Sequence, residues 1–507
     1  MSSKTKDKEE DKEEEKTQKP PYEVIIIGSG PSGLISAKIL LEKGSIGRET
    51  VPCEIRDDKD DTLVATIPSS PQPVYEELRA NFPKDLTSFL GYDFDVAVSM
   101  FPKASTLATY YQRFGKAHGV DKVARYRQRV VQCRKQETKI SSSSNDKEET
   151  TELLWTVETI DTAQPPKKSK QIFTSRRLLV ANGHFRKAFA PMIPGLQSFQ
   201  GEMIHSSAFV SPINTKKYSW QDKTVLIVGG GISGSDIGRI LAKRGNCAKV
   251  IVSVRTYHPQ QYLLLDRLVH KYPVSLRPAI DRIDPETGEF HFVEIPTDNP
   301  HKYNTSSKTT ERPDVIVFAT GYRYYFPFFQ PPNNDSDSSS TPAMPFVRAD
   351  GFKMERLYNR ILSIDDPTLG FIGIPNQNLS PAIVMEYQAQ WFVHNAVLHP
   401  STLPSKKAML QEWESRANDP SQDALGMKCS IYCNQLVAQV PGLRGFWTQV
   451  VMDRLPLIMR TKWYRYKKTT SMTQQLWWPL LAVLGAILAL AWKYLLVADS
   501  SSTTTLA

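Results

Sequence analysis

The strongest constraint on this chain is a strand, turn and helix pattern that occurs in it twice. In the first copy Val24, Ile25, Ile26 and Ile27 are apolar and β-branched, as a buried parallel strand requires. They run into Gly28-Ser29-Gly30-Pro31-Ser32-Gly33, which opens a helical pattern through Ile35, Ile39 and Leu40. Such a turn suits a dinucleotide. The first glycine permits the tight turn, the second lets the backbone approach a pyrophosphate, and the third lets helix pack on strand, while the helix N-terminus offers N–H donors and a favourable dipole. The second copy reads Thr224-Val225-Leu226-Ile227-Val228, then Gly229-Gly230-Gly231-Ile232-Ser233-Gly234, then a helix from Ser235 to Lys243. Two copies predict two dinucleotides held face to face, the arrangement that hydride transfer needs.

The strands that follow each turn separate the two sites. Val51 to Ile55 is the expected second strand of the first unit, where an acidic residue should accept ribose hydroxyls; Glu54 is the candidate, with Asp57 or Asp58 as alternatives. In the second unit, Lys249 to Val254 ends without a carboxylate, at Ser253-Val254-Arg255. A guanidinium there suits a 2′-phosphate and predicts NADP rather than NAD. Two more apolar strands end in glycine, Arg177 to Gly183 followed by His184, and Asp314 to Tyr322 through Ala319-Thr320-Gly321. The second of these closes the second unit and returns the chain to the first.

The remaining pattern fills in around these units. Thr66 to Asp95 is rich in proline and aromatics and predicts a loop with a short helix. Ala104 to His118 predicts an amphipathic helix, and Arg125 to Cys133 and Leu153 to Thr159 predict strands flanking a charged serine-rich loop, Ser141 to Thr150. Pro331 to Pro342 reads as a loop insertion, Asp366 to Pro375 as a strand and turn, and Ala382 to Leu398 and Lys406 to Asn418 as helices.

Length and charge narrow the class of protein. The 507 residues suggest two or three domains, and a formal net charge of +10 is not gathered into the basic and aromatic interleaving of single-strand binders, so no nucleic acid is expected. The five cysteines, Cys53, Cys133, Cys247, Cys429 and Cys433, match neither a disulfide framework nor a zinc pattern and fit a reducing, cytosolic setting with no metal. The first 20 residues are nearly all charged or polar and are expected to be disordered. At the other end, Leu476 to Trp492 is apolar throughout, and with its continuation past Lys493 to Val497 it meets the length of about 20 residues that spans a bilayer. Trp477, Trp478, Trp492 and Tyr494 suit the two interfaces, and Arg460, Lys462, Arg465, Lys467 and Lys468 lie upstream. The expectation is a single-pass C-terminal anchor with the rest of the chain in the cytosol, in the endoplasmic reticulum membrane.

Taken in order, these motifs resemble the flavin-containing monooxygenases, the class B flavoprotein monooxygenases, from about Tyr22 to about Trp413. The most diagnostic piece is Phe199 to Phe209, which matches the family's identifying motif at Phe199, Gly201, His205 and Phe209. Phe209 is followed by Val210 rather than by the ending of the Baeyer–Villiger branch, which favours oxygenation of nitrogen or sulfur. Gly28, Gly30 and Gly33, with Ser29, Pro31 and Ser32, are similar to the family's FAD fingerprint; Gly229, Gly231, Ser233 and Gly234 are similar to its NADPH fingerprint. Asp314 to Tyr322 looks like its Ala-Thr-Gly-Tyr motif, which adds Thr320 and Gly321 to the cofactor-binding candidates. Tyr75, Leu78, Asn81, Pro83 and Lys84 look like the segment whose Asn lies beside the flavin, and Glu386-Tyr387-Gln388 near Trp391 looks like its C-terminal Glu-x-Gln element. One departure stands out: the family's Gly-Gly-x-Trp turn after the second strand is missing, because Asp57 to Ser70 contains no glycine.

The resemblance implies an α/β fold of two Rossmann-like dinucleotide-binding domains, the FAD domain interrupted by the NADPH domain, plus a C-terminal transmembrane helix. The expected divisions are 21–222 and 326–455 for the FAD domain, 223–325 for the NADPH domain, 456–475 for a basic juxtamembrane segment and 476–498 for the membrane helix. It also implies FAD and NADPH as cofactors, and transfer of oxygen from O₂, through a flavin C4a-hydroperoxide, to an amine, thiol or sulfide. Asn81 would be the catalytic residue, Arg255 would hold the 2′-phosphate, and Ser253 is a further cofactor-binding candidate. Two alternatives remain besides a Baeyer–Villiger enzyme. A flavin disulfide reductase needs a redox cysteine pair beside the flavin, and the chain has no Cys-x₂-Cys or Cys-x₄-Cys; a membrane-anchored flavoprotein without coupled oxygenation is suggested by the missing glycine turn.

Overall fold

The structure is a computed structural model that describes residues 21–44, 74–75, 77–141, 149–165, 170–212, 220–255, 270–294, 310–329, 346–374, 381–417, 425 and 428–461. Strand β1 (Tyr22–Ile27) feeds helix α1 (Pro31–Glu42), and Val24 to Ile27 are at most 1% exposed. A strand covered on both faces reads as a continuous apolar run, which is what the sequence contains here. The chain then crosses helices α2 (Lys84–Thr87) and α3 (Ala104–Ala117) and enters an antiparallel meander of β2 (Gln128–Ser141), β3 (Glu149–Asp161) and β4 (Lys170–Val180). Strand β4 belongs to both parts of its sheet. Its first half pairs antiparallel with β3, Trp155 opposite Ser175, and its second half runs parallel to β1, Ile25 opposite Leu178. Its residues change accordingly, from the polar Lys170-Gln171 to the fully buried Leu178-Leu179-Val180.

A linker containing β5 (Lys187–Ala188) leads to the second sheet. That sheet comprises β6 (Glu202–His205), β7 (Thr224–Val228), β8 (Lys249–Ser253), β9 (Val274–Arg277) and β12 (Val315–Phe318), all parallel in the order β6-β12-β7-β8-β9. Helix α4 (Ile232–Arg244) joins β7 to β8, and a hairpin of β10 (Ile280–Ile283) and β11 (Phe290–Phe292) precedes β12. The chain returns through β13 (Tyr322–Arg323), antiparallel to β5, so the outgoing and returning linkers form one ribbon. Strands β14 (Leu357–Tyr358), β15 (Leu362–Ser363) and β16 (Leu369–Phe371) then complete the first sheet, with β16 parallel to β4. Helices α5 (Pro381–Trp391), α6 (Lys406–Ala417), α7 (Cys429–Val437) and α8 (Phe446–Gln449) close the first domain, and Ile383, Tyr387 and Trp391 of α5 share a core with Ile35, Ile39 and Leu40 of α1.

Several elements depart from the expectations above. The meander strands begin and end elsewhere than expected: β2 starts only after Arg127, whose φ of 62° breaks an extended run from Arg125. At the other end pairing continues to Ser141 opposite Glu149, so the ends of the expected loop Ser141 to Thr150 belong to the strands. Asp314 to Tyr322 is not one strand, because Gly321 at φ +85° turns the chain after Phe318 and sends Tyr322 to the ribbon. The expected helix Ala382 to Leu398 widens to a π-helix over Phe392–Leu398. The second sheet takes its edge strand from Glu202–His205, ahead of the expected domain boundary at Lys223, because β6 pairs with β12. Beyond α8 the backbone stays helical through Val450–Arg454 and over 455–461, past the boundary expected at residue 455, with Thr461 buried at 2% exposure.

Among the described residues no helix is long and apolar enough to cross a membrane. The expected anchor Leu476 to Trp492, the N-terminal charged run, Glu54 with Val51 to Ile55, and the Pro331 to Pro342 insertion lie outside the described residues.

Candidate functional site

The two glycine turns are built alike. Gly28 has φ +114° and Gly229 has φ +107°, a region that side-chain-bearing residues avoid. An added Cβ at Gly28 would collide with the carbonyl oxygen of Ala181, and at Gly229 with that of Ala319. The third glycines, Gly33 and Gly234, lie directly on the carbonyls of Gly28 and Gly229. The middle glycines are different: Gly30 and Gly231 occupy the N-cap positions of α1 and α4, and a Cβ there would have nothing within 4 Å. The fold itself therefore demands the outer glycines, whereas the middle ones leave an open cradle in front of a helix N-terminus. Neither terminus is capped by a side chain. Uncapped N–H groups aimed at open space, with the helix dipole behind them, fit the phosphates of a dinucleotide. Ser29 and Ser233 are exposed at the two turns, Pro31 is half-buried, and Ser32 is buried against Gly373, where a Cβ would strike its Oγ.

Arg255 is exposed two residues beyond β8, and the carbonyl of Ser253 accepts the Gly229 N–H at 2.8 Å, so Arg255 lies beside the second turn. The Ser253 hydroxyl, expected to face the cofactor, is buried and donates to the Pro278 carbonyl at 2.7 Å. Thr320 likewise donates its hydroxyl to the Phe189 carbonyl, and the Gly321 carbonyl accepts the Phe189 N–H at 3.0 Å. Both residues are thus engaged in the linker ribbon.

His205 ties that ribbon to the second sheet. Its Nε2 lies 3.1 Å from the Gly321 carbonyl, and its Nδ1 accepts the Ser207 N–H at 3.2 Å, a pattern that assigns the proton to Nε2. Burial lowers its pKa to about 4 against the opposing effect of the Gly321 bond, so the ring is neutral. Gly201 admits no Cβ, being pressed between the Phe199 ring and the Asp314 carbonyl, and Phe199 meets Phe290 edge-on at 5.5 Å. Phe209 reaches the other way, its ring 5.4 Å from Tyr75 and 5.6 Å from Trp220. The motif therefore braces the ribbon, the second sheet and the Tyr75 segment against one another.

Asn81 is exposed on the loop that follows Tyr75. The loop is fixed on both sides of it, by Ala80 N–H to the Pro102 carbonyl at 2.9 Å and Lys84 N–H to the Met100 carbonyl at 2.7 Å. Further on, Leu90 N–H bonds Glu386 Oε2 at 3.2 Å. Gln388, also in the Glu-x-Gln element, accepts the Gly373 N–H at 2.9 Å and donates to Tyr432 at 2.9 Å, which fixes Gly373 against the first turn of α1.

Two residues at the end of β4 were not singled out as site residues. Asn182 Oδ1 is buried without a hydrogen-bond partner among the described residues, and the His184 ring nitrogens are buried beside the Gly373 main chain. Burial lowers the His184 pKa to about 4, and the nearby Gly373 main chain opposes this, so the ring stays neutral. They follow the strand whose Ala181 carbonyl seats Gly28, at the carboxyl edge where open α/β sheets take their ligands. Polar Asn-Gly-His closing a buried strand was the available signal. Among the described residues no group of His, Cys, Asp and Glu is placed to hold a metal. Burial pushes the Cys429 thiol up to about 11 and raises Cys433 as well, which makes both poor nucleophiles at neutral pH.

The sequence matches the profile of the family described as flavin-binding monooxygenase-like over residues 22–276 and 296–445. It is 24% identical over 416 residues to flavin-containing monooxygenase FMO GS-OX-like 4 of Arabidopsis thaliana, covering 77% of this chain and 79% of that protein. Among solved structures, S-allyl-L-cysteine S-oxygenase from Allium sativum superposes with a TM-score of 0.61 at 21% identity, covering 89% of this chain and 94% of that one. The OTEMO complex with FAD and NADP superposes with a TM-score of 0.50 at 14% identity, covering 83% of this chain and 98% of that one. These structural likenesses establish the fold.

Proposed function

Because the chain belongs to the flavin-binding monooxygenase-like family, we propose that it is an NADPH- and O₂-dependent monooxygenase that oxygenates a soft nucleophilic nitrogen or sulfur. The carrying observation is the pair of sterically equivalent glycine turns, each ending at an uncapped helix in front of an open cradle. FAD and NADPH are its cofactors, the first turn taking FAD and the second NADPH; a neighbour of the same fold is a complex with FAD and NADP. Bound FAD, once reduced, supplies the activation of O₂ that a protein side chain cannot. Overall NADPH, a proton, O₂ and substrate become NADP⁺, water and the oxygenated substrate.

The chain's own residues bind, orient and shield. The N–H groups at the N-termini of α1 and α4 take the pyrophosphates, and Arg255 takes the 2′-phosphate by charge-assisted hydrogen bonds. Asn81 offers an amide donor and acceptor at the reacting edge. The preference for nitrogen or sulfur is supported by the Phe209-Val210 ending of the motif and by the names of the relatives, one of them an S-oxygenase. The apolar run Leu476 to Trp492 with its basic upstream flank supports a C-terminal anchor that leaves the catalytic part on the cytosolic side of the endoplasmic reticulum.

The test is a parallel assay of NADPH oxidation, peroxide release and product with methyl p-tolyl sulfide and N,N-dimethylaniline on detergent-purified protein. Sulfoxide or N-oxide formed in near-equal amount to the NADPH consumed is the expected result. Conversion of all NADPH equivalents to peroxide with both probes would favour the reading without coupled oxygenation. Arg255→Gln is expected to raise KM for NADPH by roughly 10- to 100-fold while leaving that for NADH nearly unchanged, in line with the loss of one charge-assisted contact; steady-state kinetics with both nucleotides checks it.

A further inference from the structure

We propose that Tyr75 and Asp236 form a latch through which the NADPH-binding domain sets the position of Asn81. The proposal rests on the assignment of the second turn to NADPH, since Asp236 lies on α4, the helix that this turn opens. Tyr75 is 7% exposed, its ring stands edge-on to Phe209, and its hydroxyl donates to Asp236 Oδ2. Asp236 also accepts from Arg239, one helical turn further on, at 3.1 Å from Nε. Two residues after Tyr75, Glu77 accepts from the Ser211 hydroxyl and faces Arg244 Nη1 at 3.5 Å. The segment therefore grips α4 at two points along its length.

Short, stiff main-chain contacts carry that grip forward to Asn81. Leu78 N–H bonds the Tyr75 carbonyl at 3.0 Å, the Leu78 carbonyl accepts from Ala104 at 2.9 Å, and Ala80 bonds Pro102 at 2.9 Å. Apolar packing accompanies the grip, since Tyr75 and Leu78 share a core with Ile237, Ile240 and Leu241 of α4. A cavity of about 150 Å³ lies there, lined by Glu77, Arg79, Lys103, Arg239, Lys243 and Arg244. Its walls carry five cations and one carboxylate, with Arg239 paired to Asp236 and Arg244 to Glu77. The contacts at Asp236 and Glu77 add direction to that packing. Burial foremost, and the Asp236 charge next, hold the Tyr75 hydroxyl well above its usual pKa, so it remains a donor at every working pH. Tyr75 is a positioning residue: it reaches the chemistry only through the loop of Asn81.

Hydrogen exchange on the FAD-loaded full chain tests this without any turnover. Tyr75→Phe keeps the ring against Phe209 and removes only the bond to Asp236. Amides in 78–83 are expected to exchange at least about tenfold faster, while those of α1 and the FAD content stay as in the parent. Asp236→Asn, a change wholly within the second domain, should produce the same signature, and the double variant should add little to either single one. In the same preparations, peroxide released per NADPH consumed should rise severalfold with KM for NADPH within twofold. Unchanged exchange at 78–83 in both single variants would overturn the latch, as would strictly additive effects in the double variant. Because exchange needs no NADPH oxidation, a parent protein inert toward NADPH would count against the proposed function while the latch was still read.

Discussion

Gly30→Ala is expected to leave the fold intact and abolish retention of FAD, whereas Gly28→Ala is expected to lose both. The difference follows from where each missing Cβ would fall. At Gly28 it meets the Ala181 carbonyl oxygen and Asn182, and φ is +114°, so the substitution forces the end of β4 away from β1. A backbone conformation of that kind costs about 1–3 kcal/mol by itself for a residue with a side chain, and the overlap adds to it. At Gly30 a Cβ meets no protein atom, so the helix still forms and alanine even lowers the entropy of the unfolded chain. The methyl group instead occupies the approach to the α1 N-terminus, where the pyrophosphate must come close to the backbone. Thermal unfolding of the apoprotein and the flavin absorbance left after gel filtration read the two effects separately. Gly231→Ala should behave in the same way for the other nucleotide, keeping FAD but losing reduction by NADPH. Full FAD retention by Gly30→Ala would remove the first turn from the cofactor site.

How much of this was legible in the sequence depended on the range of the interaction involved. The glycine turns, their buried strands and the helices α1 and α4 are local patterns, set by neighbours within a few residues, and they stand where the spacing put them. The strand ends were less legible: a φ of 62° at Arg127 and of +85° at Gly321 interrupt two stretches that the sequence pattern alone continues as strand. The hydroxyls of Ser253 and Thr320 could not be placed from sequence, because their acceptors, Pro278 and Phe189, arrive from other parts of the chain. The motif around His205 was visible as a motif, but its physical role depends on a linker more than a hundred residues away, and the same holds for Tyr75 and Asp236. Composition marks none of these pairings, since a buried Tyr and an Asp on a helix read as one core residue and one surface charge.

Arg454→Met is expected to destabilise the protein by about 3–5 kcal/mol, the cost of leaving a buried charge without its partner. Arg454 is fully buried; Nη1 donates to Ser88 Oγ at 2.6 Å and lies within 3.5 Å of the Asp85 and Phe89 carbonyls, and Nη2 is 3.9 Å from Glu386 Oε2. It thereby pins the helical backbone after α8 to α2 and the loop beyond it. Burial raises the Glu386 pKa, and Arg454 opposes that rise, so removing the guanidinium moves the carboxyl further up. A carboxyl whose folded pKa lies above its unfolded value of about 4.3 contributes stability that is present below the unfolded value and lost as pH rises through the folded one. The deficit of Arg454→Met should therefore be smaller at pH 5 than at pH 8. Asp85, also raised chiefly by burial, acts with the same sign, so a second variant is needed to isolate Glu386. Glu386→Gln keeps an acceptor for Leu90 N–H and removes the charge. Arg454→Met with Glu386→Gln should recover most of the loss at pH 8 and flatten most of its pH dependence in urea unfolding. A deficit equal at both pH values would assign the loss to the Ser88, Asp85 and Phe89 contacts instead. The segment Arg454 holds begins three residues after Asn81, the residue proposed to act at the reacting edge, on the side away from Tyr75. With both ends tied, to α4 and to the C-terminal helix, Asn81 is positioned by two parts of the chain that its own sequence neighbourhood does not contain.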